Sequence, residues 1–153
     1  MSISIVDVVR YRYPSQFEIG NVAFDYDENS NIIISYWNVF GTPQPSEAYL
    51  ESLFPQYTLR YENESAENDY LAAVQNLLDR TAQSKSYTNA LACLSYFNST
   101  NTTWQAEASA FNSWRDGVYA YTYNIINDIN AGTITAPTLS DFMAGISLIV
   151  WPS

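Results

Sequence analysis

Four oxygen-bearing side chains at alternate positions, Asp25, Asp27, Asn29 and Asn31, have the spacing best suited to chemistry in this chain. Oxygens at every second residue match the front half of a calcium loop, which wraps a hard cation in carboxylates and amides. The remainder of that pattern is missing. Ser30 stands where such a loop needs its glycine, and Tyr36 where it needs a bidentate glutamate. The plainer reading is a polar hairpin turn, and no metal is assigned.

Other chemistry is thinner still. Histidine is absent, which removes the commonest general base, the Ser–His and Cys–His nucleophiles and histidine metal sites. The single cysteine, Cys93, can form neither a zinc site nor an intrachain disulfide. It sits in an apolar helical pattern and reads as a buried thiol, the alternative being a bond to a partner. No GxGxxG occurs, and no glycine-rich loop leads into Lys and Ser/Thr. The carboxylate pairs Asp7 with Glu18 and Glu62 with Glu64 have no geometry that spacing can define, and they read as solvated surface. Trp114 beside Arg115 can stack on a carbohydrate or a cation. A core tryptophan whose neighbouring arginine holds a carboxylate is the commoner arrangement. No catalytic residue, cofactor or metal ligand is therefore expected, and the chain reads as a non-enzyme.

The elements that carry these residues are those of a folded chain. Of the 153 residues 47% are hydrophobic and only 14% charged, with 13 tyrosines. A low charge content with so much tyrosine leaves a largely uncharged polar surface suited to protein–protein contact. The net charge of −10 repels both phosphate backbones and anionic bilayers, so neither nucleic acid nor membrane is an expected partner. The N-terminus lacks a basic region and carries Asp7 inside its apolar run, so it reads as no signal peptide, and the expectation is a cytosolic origin.

Along the chain, residues 3–13 are rich in β-branched and aromatic side chains and predict a strand ended by Pro14. A short loop leads to two further strands, 21–27 and 31–40, joined by the turn around Ser30. Ser46 is the predicted N-cap of a short helix that Pro55 ends. Residues 57–65 read as a polar, partly extended connector. A second helix is predicted from Ser65 to Gln83, and Tyr87, Ala90, Leu91, Leu94 and Phe97 mark a third. The longest pattern runs from Asn101 to Gly132, with Thr102 and Gln105 as a capping box and Gly132 as a left-handed stop. Thr138 with Asp141 opens a last short helix, and an apolar terminus follows. The expected architecture is α+β: a small antiparallel β-rich part over 1–44, a short helix and connector over 45–62, and a three-helix bundle over 63–153.

Two stretches resemble bacteriophage tail proteins. IVDVVRYRYP, VAFDYDENSNIIISYWN and PQPSEAYLESL are similar to small tail accessory proteins of the XkdW type. Ala73–Gln75, Leu78–Asp79, Tyr87, Cys93, Tyr96, Asn101, Trp104, Glu107, Trp114–Arg115–Asp116, Pro137–Thr138 and Trp151–Pro152 match a helical module of tail-fibre operons, and the last of these pairs resembles the end of tail-fibre assembly chaperones. The pattern departs from the module where Leu94 splits Cys93 from Ser95 and Tyr96, and where Gly117 follows Asp116. The resemblance implies a chaperone or cap that binds a trimeric tail fibre in several copies, located on the virion or in the host cytoplasm during assembly. It implies no catalytic site. The rival roles are a receptor-binding tip module and a structural adaptor of the same fibre.

Overall fold

A helix, not a strand, opens the chain. In the computed structural model, which describes residues 3–152, α1 spans Ile5–Arg12. Ser4 is its N-cap, accepting from the Asp7 backbone N–H, while the Asp7 carboxylate accepts from the Ser4 backbone N–H at 2.9 Å. This capping box satisfies two donors that a helix end otherwise leaves without partners. Ile5, Val8 and Val9 are buried, a spacing that makes one helical face but would be divided between the two faces of a strand. Cap and periodicity together outweigh the modest β preference of valine and isoleucine.

The predicted loop after Tyr13 is also helical: α2 covers Pro14–Glu18 with Pro14 in its first turn. Proline lacks the N–H that the first turn does not need, so it starts this helix rather than closing the preceding element. The two predicted strands follow as β1 (Val22–Tyr26) and β2 (Ile32–Trp37), an antiparallel pair and the only sheet among the described residues. Pairing runs from Tyr26 with Ile32 to Val22 with Trp37, with a bulge that leaves Ser35 as the extra residue. That one-residue shift turns Ile34 and Trp37 inward together although they are three apart.

Ser46 caps α3 (Glu47–Ser52) as expected, accepting from the Tyr49 N–H at 3.2 Å. The next expectation fails. α4 is a single helix of 30 residues, Phe54–Gln83, so the polar connector 57–65 is helical and Pro55 lies in a first turn. The segment is built from good helix formers such as Leu59, Arg60, Glu62 and Glu64, but its polar character hides the period.

The chain divides into two compact units, residues 1–62 and 63–153. Unit 1 is a mixed α and β unit, not β-rich: α1 meets β2, α2 meets β1, and α3 meets α1. Its core joins Val8 and Val9 of α1, Val22 and Ile34 of the sheet, Leu50 of α3 and Tyr57 of α4. Tyr13 meets Trp37 edge-on at 5.0 Å, and Tyr11 stacks on Tyr57 at 5.6 Å.

Unit 2 is helical, but in place of the three-helix bundle expected there it has two long helices and two short ones. The α4 residues from 63 onward and α6 (Thr102–Asn130) are long, whereas α5 (Ala90–Ser95) and α7 (Leu139–Ala144) have six residues each. Tyr70, Val74, Leu78 and Ala82 of α4 share a core with Phe111, Val118, Ile126 and Ile129 of α6 and Phe142 of α7. Tyr70 stacks on Phe142 at 4.1 Å, and its hydroxyl donates to the Pro137 carbonyl. The N-cap of α6 is Asn101, one residue before the predicted Thr102; its amide oxygen accepts from Thr103 at 3.0 Å and Trp104 at 3.2 Å. At the other end Gly132 takes φ +70°, with its N–H on Ile129 and that of Thr133 on Asp128, each at 3.0 Å. These two bonds define a Schellman cap. No helix among the described residues is long and apolar enough to cross a membrane.

Candidate functional site

Asp27 uses its carboxylate on the turn itself. One oxygen accepts from the backbone N–H groups of Asn29 and Asn31, both at 2.8 Å, and the other from the Asn31 side-chain amide at 3.0 Å. These bonds, led by the Asn31 side chain, hold the carboxyl below its usual pKa. Asp25 accepts from the Tyr26 N–H at 2.8 Å. The Asp27 oxygens thus close a hairpin loop in which Ser30 occupies the left-handed region at φ +64°. No cluster of three metal-ligating side chains occurs among the described residues.

The carboxylate pairs are not assembled into a site. Asp7 is bound to Ser4, and the side chain of Glu18 lies outside what the structure describes. Glu62 and Glu64 are two residues apart on α4, a spacing that turns them to different sides of a helix. Cys93 is fully buried. Burial, with the nearby charge of Glu107, raises its thiol pKa to about 11, which leaves it inert at neutral pH.

Around Trp114 the chain does converge. The Trp114 indole N–H donates to the Ser147 carbonyl at 2.7 Å, and its ring lies 5.6 Å from that of Phe111. Phe111 stacks on Trp151 at 6.1 Å. The C-terminal segment is therefore tied to the middle of α6, with Ile146, Ile149 and Trp151 packed on the core. Leu148 and Val150 alternate with them and are 89% and 85% exposed. Arg115 does hold a carboxylate, that of its neighbour Asp116, at 2.8 Å. Both groups reach solvent, so this pair contributes little to stability.

A cleft of about 320 Å³ opens beside this junction, between Ser113, Trp114, Gly117 and Tyr121 of α6 and Gly145 and Ser147 after α7. All of its lining side chains are uncharged. Gly145 is essential to its shape, since a Cβ there would lie 2.2 Å from the Tyr121 hydroxyl oxygen. Tyr121 is held in place by donating to the Phe142 carbonyl at 3.1 Å.

A second cluster has no counterpart in the expectations. Glu107 accepts from the Tyr87 hydroxyl at 2.8 Å and pairs with Lys85 at 3.3 Å. Lys85 also lies 5.5 Å from the Trp151 ring. Burial first, and then the bond to Glu107, push the Tyr87 phenol pKa up. Glu107 lies 20 positions after Tyr87, and nothing in local spacing points to their meeting. No buried side-chain nitrogen or oxygen among the described residues lacks a hydrogen-bond partner.

Comparison with protein-family models, with curated proteins and with solved structures finds no match to this chain.

Proposed function

We propose that the chain is a tail-fibre chaperone or cap of a bacteriophage, binding the fibre and assisting its folding or trimerisation. The observation that carries this reading is the apolar surface of unit 1. Both strands of the hairpin are edge strands, and Ile19, Tyr26, Tyr36 and Phe40 are exposed around them, Phe40 entirely so. An edge strand offers unpaired backbone groups to an extended segment of a partner, and flanking aromatics supply the contact area. The resemblance of Trp114–Arg115–Asp116 and Trp151–Pro152 to fibre-operon proteins supplies the partner. Against a trimeric fibre, symmetry matching gives several copies per fibre, acting in the host cytoplasm during assembly or on the virion. A Cys93 cross-link to a partner loses its support, because that thiol is buried.

Co-expression with the fibre protein tests the proposal. Soluble fibre trimer is expected to rise when this chain is present, and a Tyr36→Lys or Phe40→Asp substitution is expected to remove the gain. A fibre that trimerises and supports infection equally well without the chain would overturn it.

A further inference from the structure

We propose that the cleft beside Trp114 is a binding site for a neutral sugar ring, a property independent of fibre assembly. Its volume of about 320 Å³ lies at the lower end of small-molecule pockets. Trp114 and Tyr121 are among its lining residues, and aromatic rings attract the polarised C–H groups of a pyranose. Both rings are immobilised before any ligand arrives: the Trp114 indole by Ser147, the Tyr121 hydroxyl by Phe142. Preorganised walls reduce the ordering cost of binding. Ser113 and Ser147 are among the lining residues, and no hydrogen bond of either hydroxyl to another group occurs among the described residues. Each is both donor and acceptor, matching the hydroxyls of a sugar. The absence of charge from the lining side chains disfavours phosphates, sialic acids and amines.

Gly117 supplies a second line of argument. A glycine inside an exposed stretch of helix is unfavourable relative to alanine, because it loses more backbone freedom on folding. Packing within the chain does not call for it, since a Cβ at this position would meet nothing within 4 Å. Gly117 is itself one of the residues that line the cleft.

The test is a titration of the ¹⁵N-labelled full chain with the methyl glycosides of glucose, galactose, mannose and N-acetylglucosamine. Sialic acid and indole serve as charged and apolar controls. At least one neutral glycoside is expected to shift the Trp114 indole N–H and the Gly117 amide, with a Kd on the order of 1 mM. Gly117→Leu, which fills the cleft, is expected to abolish the shifts with the rest of the spectrum unchanged. Ser113→Ala, which leaves the helix intact, is expected to weaken binding several-fold and serves if the leucine variant does not fold. No shift with any neutral glycoside, a shift with indole or sialic acid alone, or sugar shifts indifferent to whichever of these variants folds, would overturn the proposal.

Discussion

The indole nitrogen of Trp114 donates to the carbonyl oxygen of Ser147 at 2.7 Å, across 33 residues of sequence. The bond fastens the segment after α7 to the centre of α6 and sets one wall of the cleft. Trp114 is only half-buried. Trp114→Ala is therefore expected to cost about 3 kcal/mol, the lower end of the range for a buried tryptophan. Trp114→Phe keeps a ring and loses the bond, at about 1 kcal/mol. Urea unfolding of both variants measures the difference.

Gly145 and Tyr121 make the tightest approach at the cleft. In Gly145→Ala the new Cβ must displace a ring that is bonded to the Phe142 carbonyl and stacked on the Phe142 ring at 5.4 Å. A loss of about 1–3 kcal/mol is expected, as for other overpacked sites. Adding Tyr121→Phe removes the nearest atom, so the double variant should lose less than the sum of the two single ones. Additive losses in thermal unfolding would show that the two residues do not compete for the same space.

Ser30 sits at φ +64°, where an L residue with a Cβ is strained by about 1–2 kcal/mol. Ser30→Gly removes that strain but adds unfolded-chain entropy of about 0.5–1 kcal/mol. A net stabilisation of about 0.5–1 kcal/mol is expected, read as a higher denaturant midpoint. The substitution also places glycine where a calcium loop has it. Because the oxygens of Asp27 are engaged by Asn29 and Asn31, added calcium should leave the midpoint unchanged.

Burial gives Cys93 a pH signature. Its folded pKa of about 11 lies above the ordinary thiol value, so the native state holds the proton more tightly than the unfolded chain. Its contribution to stability is thus complete below about pH 8.5 and is lost as pH rises towards 11. Unfolding midpoints across pH 8–11 are expected to fall less steeply in Cys93→Ala than in the parent. In the folded protein at pH 8 a thiol reagent should react with Cys93 only at the rate of unfolding.

How much of this was legible depended on whether a signal was local. Ser46, Thr138 and Gly132 mark helix ends correctly because caps act over three or four residues. The hairpin around Ser30 was likewise readable from turn chemistry. Pro14 and Pro55 misled the reading, since proline is compatible with stopping one element and with starting the next. The β-branched run 3–13 misled it too: composition spoke for a strand, while the three buried positions Ile5, Val8 and Val9 follow a helical face.

By itself the sequence determined the acidic, histidine-free chemistry, the hairpin, the caps at Ser46, Thr138 and Gly132 and the apolar stripe of α6, all of which rest on residue type or on spacing within a few turns. Only the tertiary structure decided that residues 57–65 join α4, that Glu107 meets Tyr87 and Lys85, and that Gly145 admits Tyr121 to form the cleft. The physical reason is range. Caps and periodicity are energies between near neighbours in the chain, whereas a cleft is the space left when side chains distant in sequence pack, and its shape follows from their mutual fit.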